Sequence, residues 1–338
     1  MQLSGLKSVA RQAGSVSTTL LGLLALTFFM GRMLPNDPVL AIVGDQADQA
    51  TYDMVHRQLG LDKPLYVQFF LYMRAMLSGD FGNALFTGHR VADDLMKVFP
   101  ATVELATFAI IIGVGIGVPL GVLAAVYRGS AIDHVARVIG LLGYSSPAFW
   151  LGLMGLILFY ATLDWVGGPG RLDVGFMDTV GRHTGFMTID ALWEGDMDVF
   201  WNAVSHIVLP GSILGYGSMA YISRMTRSFM LEQMAQEYMV AARVKGLSGW
   251  AAIRRHAFRN ILVQLVTVIA LAYAFLLEGA VLTETVFAWP GFGHYLVAGL
   301  LAGDMNAVLA CVLIVGIIFI GLNLFTDMLY RLLDPRTR

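Results

Sequence analysis

Residues 103–126 read VELATFAIIIGVGIGVPLGVLAAV, an apolar run broken by a single charged residue, Glu104. As a helix the run is about 36 Å long, enough to cross a hydrocarbon core of about 30 Å. Its glycines fall at 113, 117 and 121, four apart and so on one helical face. With no side chains there, a neighbouring backbone can come close. Packing inside one bundle accounts for such a stripe; a face used against a second subunit is the alternative. Pro119 sits beside the stripe, where it would bend the helix.

Five further apolar runs lie around it, at roughly 15–34, 138–161, 207–224, 261–284 and 306–330. The whole chain is 57% hydrophobic and only 14% charged, whereas a soluble domain needs about 25% charged residues for its surface. The expectation is an all-α polytopic membrane protein, a bundle of six transmembrane helices. The single Cys311 excludes an intrachain disulfide and falls inside the last apolar run, as a small packing residue. Lys7 and Arg11 precede the first run much as in a signal peptide. No small-residue cleavage site follows it, so the sequence implies an uncleaved first span.

Charge sets the orientation. Lys7 and Arg11, then Arg128 and Arg137, then Arg224, Arg227, Arg243, Lys245, Arg254, Arg255 and Arg259, and finally Arg331, Arg336 and Arg338 fall on one side of six spans. The third-to-fourth connection on the other side is acidic, with Asp164, Asp173, Asp178, Asp190, Glu194, Asp196 and Asp198. The positive-inside rule then puts both termini in the cytoplasm. The chain divides into an N-terminal segment with the first span (1–34), an external region with short helices (35–102) and a five-helix core (103–338) that includes a cytoplasmic loop at 225–260. In the external region, 64–77 is apolar but too short to span; Asp62 would cap it, with Pro64 in its first turn. Residues 162–205 show no evident helix until their end, and 286–304 are again too short to span and would dip against the bundle.

The cytoplasmic loop carries EYMVAARVKGLSGWAAIRRHAFRN at 237–260. Helix formers run from about Met230 to Lys245. Gly246 then suits the left-handed residue that ends a helix, and Ser248 is placed to cap the next one. Two short helices with a corner between them result, held at the membrane face by Arg224 and Arg227 behind and Arg254, Arg255 and Arg259 ahead. Ala241 and Ala242 leave room for the first helix to lie in a groove of another protein. An amphipathic helix that is basic because it faces anionic lipid accounts for the same residues.

This stretch resembles the EAA loop of ABC importer permeases of the dipeptide/oligopeptide/nickel group, whose pattern EYxxxARxKGLS followed by RHAxRN is matched at 237–248 and 255–260. The resemblance extends over most of the chain: PNDP at 35–38, LGLDKPLYVQF at 59–69, GDFG at 79–82, SPAFWLGL at 146–153, ETVFAWPGFG at 284–293 and DMLYRLLDPRTR at 327–338. Two positions depart from it. Val240 stands where the broader pattern has Glu before the alanines, and Ala84 where a Ser usually follows GDFG. The resemblance implies a MetI-like permease fold in the cytoplasmic (inner) membrane. It also implies a coupling helix docked on a separate ATPase, with Glu237, Tyr238, Ala241, Ala242, Arg243, Gly246, Leu247 and Ser248 as contact candidates. The implied partners are a second related permease, two ABC ATPase subunits, an external solute-binding protein and membrane lipid, with no nucleic acid. The implied cargo is small peptides, with nickel or other solutes as the alternatives.

Enzymatic chemistry finds little support. The dipeptide Gly-Lys never occurs, so there is no G-x-x-x-x-G-K-[ST] phosphate loop, and ATP with its Mg would sit on partner subunits. The seven histidines show no H-x-x-x-H or Cys pairing, so no metal site or other cofactor is expected in this chain. Ser145, Ser146 and Ser218 lie near glycines, but no nucleophile motif pairs them with His206 or His294 deep in another span. The alternative is a secondary transporter or channel for small solutes without an ATPase, which usually needs an ionisable group near the bilayer midplane. Glu278 and Glu284 are the candidates for such a pathway or for an outer vestibule. Glu278 falls about 26 Å along the fifth span, close to the outer interface. Glu284, inside the ETVF block, is expected to brace the turn into WPGFG.

Overall fold

The computed structural model describes residues 2–33, 38–44, 47–58, 60–177 and 179–333. Most of the PNDP block and the DPRTR terminus lie outside them. In chain order the helices are α1 (Gln2–Met33), α2 (Pro38–Val43), α3 (Gln49–Gln58), α4 (Leu65–Leu77), α5 (Val91–Val126), α6 (Ala131–Ser145), α7 (Ala148–Gly155), α8 (Met187–Glu194) and α9 (Met197–Met234). They continue as α10 (Glu237–Val244), α11 (Gly249–Ala252), α12 (Phe258–Gly279), α13 (Val281–Val286), α14 (Phe292–Leu301) and α15 (Met305–Leu333). π-Helical turns at Leu156–Thr162 and Ile253–Ala257 extend α7 and join α11 to α12. Among the described residues, four helices are long and apolar enough to cross a membrane, or five if α6 and α7 form one bent span.

Two expected spans take a different form. The run at 138–161 is not straight: α6 and α7 meet at 97° around Ser146-Pro147. Pro147 has no N–H to give, and the residue before a proline is driven out of the helical region; Ser146 has ψ 126°. The run at 207–224 is the middle of a 38-residue helix, α9, which passes through Pro210 and is not among the long apolar helices. Asp196 caps its start, with Oδ1 accepting from the amides of Asp198 and Val199 at 3.1 and 3.0 Å. The 162–205 connection also holds a helix, α8, earlier than expected.

The chain forms two compact units. In the first (Met1–Val98, Tyr295–Gly321), α4 packs on α1 through Phe28, whose ring lies 5.3 Å from Phe69. Tyr72 there donates to Thr27 at 2.9 Å. Pro64, not Asp62, is the N-cap of α4. Buried Gln68 stabilises this entry instead, donating to the carbonyls of Leu61 and Lys63. Asp304 is fully buried and accepts from the amides of Leu85, Phe86 and Ala307, tying a loop to the first turn of α15.

In the second unit (Phe99–His294, Leu322–Arg338), α5, α9 and α12 share a core of Leu105, Ala109, Ile207, Ile222, Leu265 and Val268. The glycine stripe of α5 sets its contact with α9. A Cβ on Gly113 would meet Ser218 Oγ at 2.2 Å, one on Gly117 the Met219 carbonyl at 2.9 Å, and one on Gly121 the Ser223 carbonyl at 2.5 Å. The stripe is therefore used within the chain. Gly121→Leu is expected to drive α5 from α9 and destabilise the protein by about 1–3 kcal/mol or more. Gly115→Leu, with nothing within 4 Å of its Cβ, leaves the melting temperature in detergent unchanged. Equal melting of the two variants would contradict the packing.

Carboxylates order the acidic connection between α7 and α9. Glu104, 5% exposed, accepts from Arg171 and from both the amide and hydroxyl of Thr188, at 2.8 and 2.6 Å. Burial pushes the Asp190 carboxyl up, but donation from Thr184 and Gly185 outweighs it and holds the group below the usual carboxylate range.

Candidate functional site: the corner at 237–260

α9 does not run on to Lys245 as its helix formers suggest. It ends at Met234, and the chain turns at Ala235–Gln236 before α10 begins at Glu237. α10 is only eight residues long, so tertiary contacts must hold it. Met239 and Ala242, 1% and 5% exposed, face a cluster with Ala125, Met230, Ala252, Ile253, Ala257 and Ile261. Full burial of a methionine contributes roughly 1.5–3 kcal/mol, which is most of what fixes so short a helix.

The corner itself is built from backbone geometry. Gly246 has φ +85°, the left-handed conformation that costs an L side chain strain. Its amide donates to the Arg243 carbonyl at 3.0 Å, and the Leu247 amide to the Ala242 carbonyl at 3.2 Å. This pair of bonds is the Schellman termination, and the half-buried Leu247 beside it joins the cluster beneath. Two residues on, Ser248 Oγ accepts from the Ala251 amide at 3.3 Å and starts α11. The π-turn carrying Arg254, Arg255 and His256 then leads into α12.

The candidate contact residues separate by face. Glu237, Ala241, Arg243, Gly246 and Ser248 are exposed. Tyr238 is half-buried, with its hydroxyl donating to Gln233 at 2.7 Å and its ring 6.4 Å from that of His256. Ala242 points into its own chain, so it offers a partner no surface. Three residues outside the contact candidates stand outward instead: Val240 is 63%, Val244 82% and Trp250 57% exposed. Val240, Ala241 and Val244, with Glu237, are spaced i, i+3, i+4, i+7 and make an exposed, mainly apolar stripe. Only the solvent side of the i, i+4 rule would have revealed them: valines one turn apart on a helix whose other face is already filled.

Arg227, expected to anchor the loop to the membrane face, is bound within the chain. Its Nε and Nη2 donate to the two oxygens of Asp133 at 2.8 and 2.9 Å, and Asp133 is 1% exposed. The pair holds the start of α6 to the C-terminal part of α9.

The two pathway carboxylates lie elsewhere. Glu278 is half-buried near the end of α12. Glu284 is fully buried, which removes it from any vestibule. Its carboxyl accepts from the Thr102 hydroxyl at 2.6 Å and from the amides of Gly293 and His294 at 2.7 and 3.0 Å. Thr102 in turn accepts from the Phe292 amide, and Trp289 donates to the Ala101 carbonyl at 2.9 Å. A Cβ on Gly291 would meet the Glu284 carboxyl at 2.5 Å, so the glycine of WPGFG is the space that carboxyl occupies.

Residues 117–338 match the family model described as binding-protein-dependent transport system inner membrane component, and residues 6–106 match its N-terminal counterpart. The Probable D,D-dipeptide transport system permease protein DdpB of Escherichia coli (strain K12) is 43% identical over 93% of this chain and 92% of its own length. The Di/tripeptide transport system permease protein DppB of Pseudomonas aeruginosa (strain UCBPP-PA14) is 40% identical over 98% and 99%. The Dipeptide transport system permease protein DppB of Escherichia coli (strain K12) shows the same identity and coverage. A solved structure of the MetNI methionine ABC transporter in inward-facing conformations aligns over 69% of this chain and 93% of that chain, with a TM-score of 0.49 and 19% identity.

Proposed function

Because the chain belongs to the family of binding-protein-dependent transport system inner membrane components, we propose that it is the permease subunit of an ATP-driven importer of dipeptides and related small peptides. It is a multi-pass protein of the inner membrane. In this reading it crosses the membrane six times, α9 and the bent α6–α7 pair included, with both termini in the cytoplasm. It catalyses no reaction: ATP and Mg belong to two partner ATPases. A second permease completes the pathway, and an external solute-binding protein delivers the cargo.

The observation that carries the coupling role is the stripe Val240–Ala241–Val244. An exposed apolar row on an eight-residue helix, fixed from behind by Met239 and from its end by Gly246, is the pattern of a surface that a partner covers. Glu237, Arg243, Gly246 and Ser248 border that row as the polar rim of the contact, while Tyr238, Ala242 and Leu247 hold it in place from below. The break between α6 and α7 favours the same function over a proton-driven carrier, since residues 138–153 include no Asp, Glu, His, Lys or Arg.

The test is Ala241→Arg. A guanidinium in the middle of the row adds bulk and a charge to desolvate, and the ATPase subunits are expected to be lost from the purified complex about tenfold or more, with the chain still inserted. Normal copurification of the ATPases with this variant would remove the stripe from the interface.

A further inference from the structure

Between α6 and α9 lies a cavity of about 440 Å³. Its walls include Leu141, Tyr144 and Tyr221, and three guanidinium side chains open onto it: Arg137, Arg224 and Arg227. One carboxylate, Asp133, answers two of the three. It is held by Arg227 in the two bonds described above and lies 3.6 Å from Arg137 Nε. Arg224 has no ion pair among the described residues. It sits between two rings instead, with Cζ 5.3 Å from the centre of Tyr144 and 5.9 Å from that of Tyr221. A guanidinium stacked on aromatic rings keeps its N–H edge for two oxygens of a carboxylate or phosphate.

The cavity is thus apolar along its walls and cationic at one end, the pattern that fits an amphiphile with a negative head. Its location fits the same occupant. α6 begins just after the basic turn at Arg128, and α9 leads from the cavity to the corner at 237–260, so in the orientation proposed above the cavity lies on the side of the leaflet that holds the anionic lipids. We propose that it is a binding site for an anionic phospholipid of the inner leaflet, whose phosphate pairs with Arg224 and Arg137 while an acyl chain runs along Leu141 and Tyr144. The ligand would bind beside the α9 segment that carries the corner, and Asp133 would keep Arg227 out of the contact.

The experiment is native mass spectrometry of the full chain, purified with its partner subunits in mild detergent. The complex is titrated with phosphatidylglycerol or with phosphatidylcholine of the same acyl chains. The native complex is expected to retain one phosphatidylglycerol with about tenfold preference or more, and Arg137→Gln with Arg224→Gln to lose that preference. Phosphatidylglycerol should also raise the melting temperature of the native complex and not of the double variant, which separates loss of the site from loss of the fold. Arg224→Lys keeps the charge without the planar fork and should fall between them. Arg128→Gln, in the exposed turn nearby, should retain the preference. An equal loss in Arg128→Gln would reduce the effect to diffuse surface charge and overturn the site. Displacement of the lipid by glycylglycine would reassign the cavity to the cargo's carboxylate. Binding to the isolated chain but not to the assembled complex would make the cavity a contact with another subunit.

Discussion

Glu284→Ala is expected to leave little folded protein in the membrane. The substitution strips the acceptor from the Thr102 hydroxyl and from the amides of Gly293 and His294, all at a fully buried carboxyl. Each buried donor left unpaired costs about 1–3 kcal/mol, so losing the acceptor of all three is of order 3–9 kcal/mol against a total stability of about 5–15. The space left behind would destabilise the site further. Glu284→Gln keeps the shape and one acceptor oxygen but turns an amide donor toward donors, and should fall between wild type and alanine. Thermal unfolding in detergent, followed by tryptophan fluorescence, measures both. A melting temperature for Glu284→Ala within a degree or two of wild type would show that the WPGFG turn stands without its brace.

Gly246→Val should abolish peptide uptake while leaving the spans inserted. At φ +85° a β-branched side chain costs about 1–3 kcal/mol or more, comparable to the burial that holds α10. The chain relieves that strain by giving up the two Schellman bonds, and the Val240–Ala241–Val244 row then loses its fixed orientation. Uptake of a labelled dipeptide is expected to fall at least about tenfold, the equivalent of 1.4 kcal/mol in coupling. Gly246→Asn, which tolerates the left-handed conformation, should keep much of it. Gly249→Ala is the matched control, since Gly249 has ordinary φ and open space around its Cβ. Wild-type uptake in Gly246→Val would show that the corner does not transmit the ATPase movement.

The membrane class, the helical content and the conformation of Gly246 and Ser248 were legible in the sequence, because each depends on residues within a few positions of one another. The glycine stripe was legible as a face, but its partner was not: Gly121 meets Ser223, 102 positions away, and no local pattern encodes that pairing. The same limit hid Asp133 with Arg227 and Glu104 with Arg171, which are separated by 94 and 67 residues. Ala241 and Ala242 were alike in the sequence because they differ only in what covers them. Helix 9 was misjudged at its end because Met230 to Lys245 are good helix formers throughout, and propensity yields to the packing of Met239 and Ala242. The resemblance to a transport family supplied what no side-chain pattern states by itself, namely the direction of transport and the class of cargo.

A helix of 38 residues has a mechanical meaning. α9 is about 57 Å long, and a rod of that length pivoting near its capped end turns a tilt of ~5° into a displacement of about 5 Å at the other. Since the Asp196 cap and the Met234 terminus belong to one helix, a small rotation at the first is carried to the start of the corner at 237–260. As a lever arm such a helix would have its gain set by its length and by how far Pro210 lets it bend.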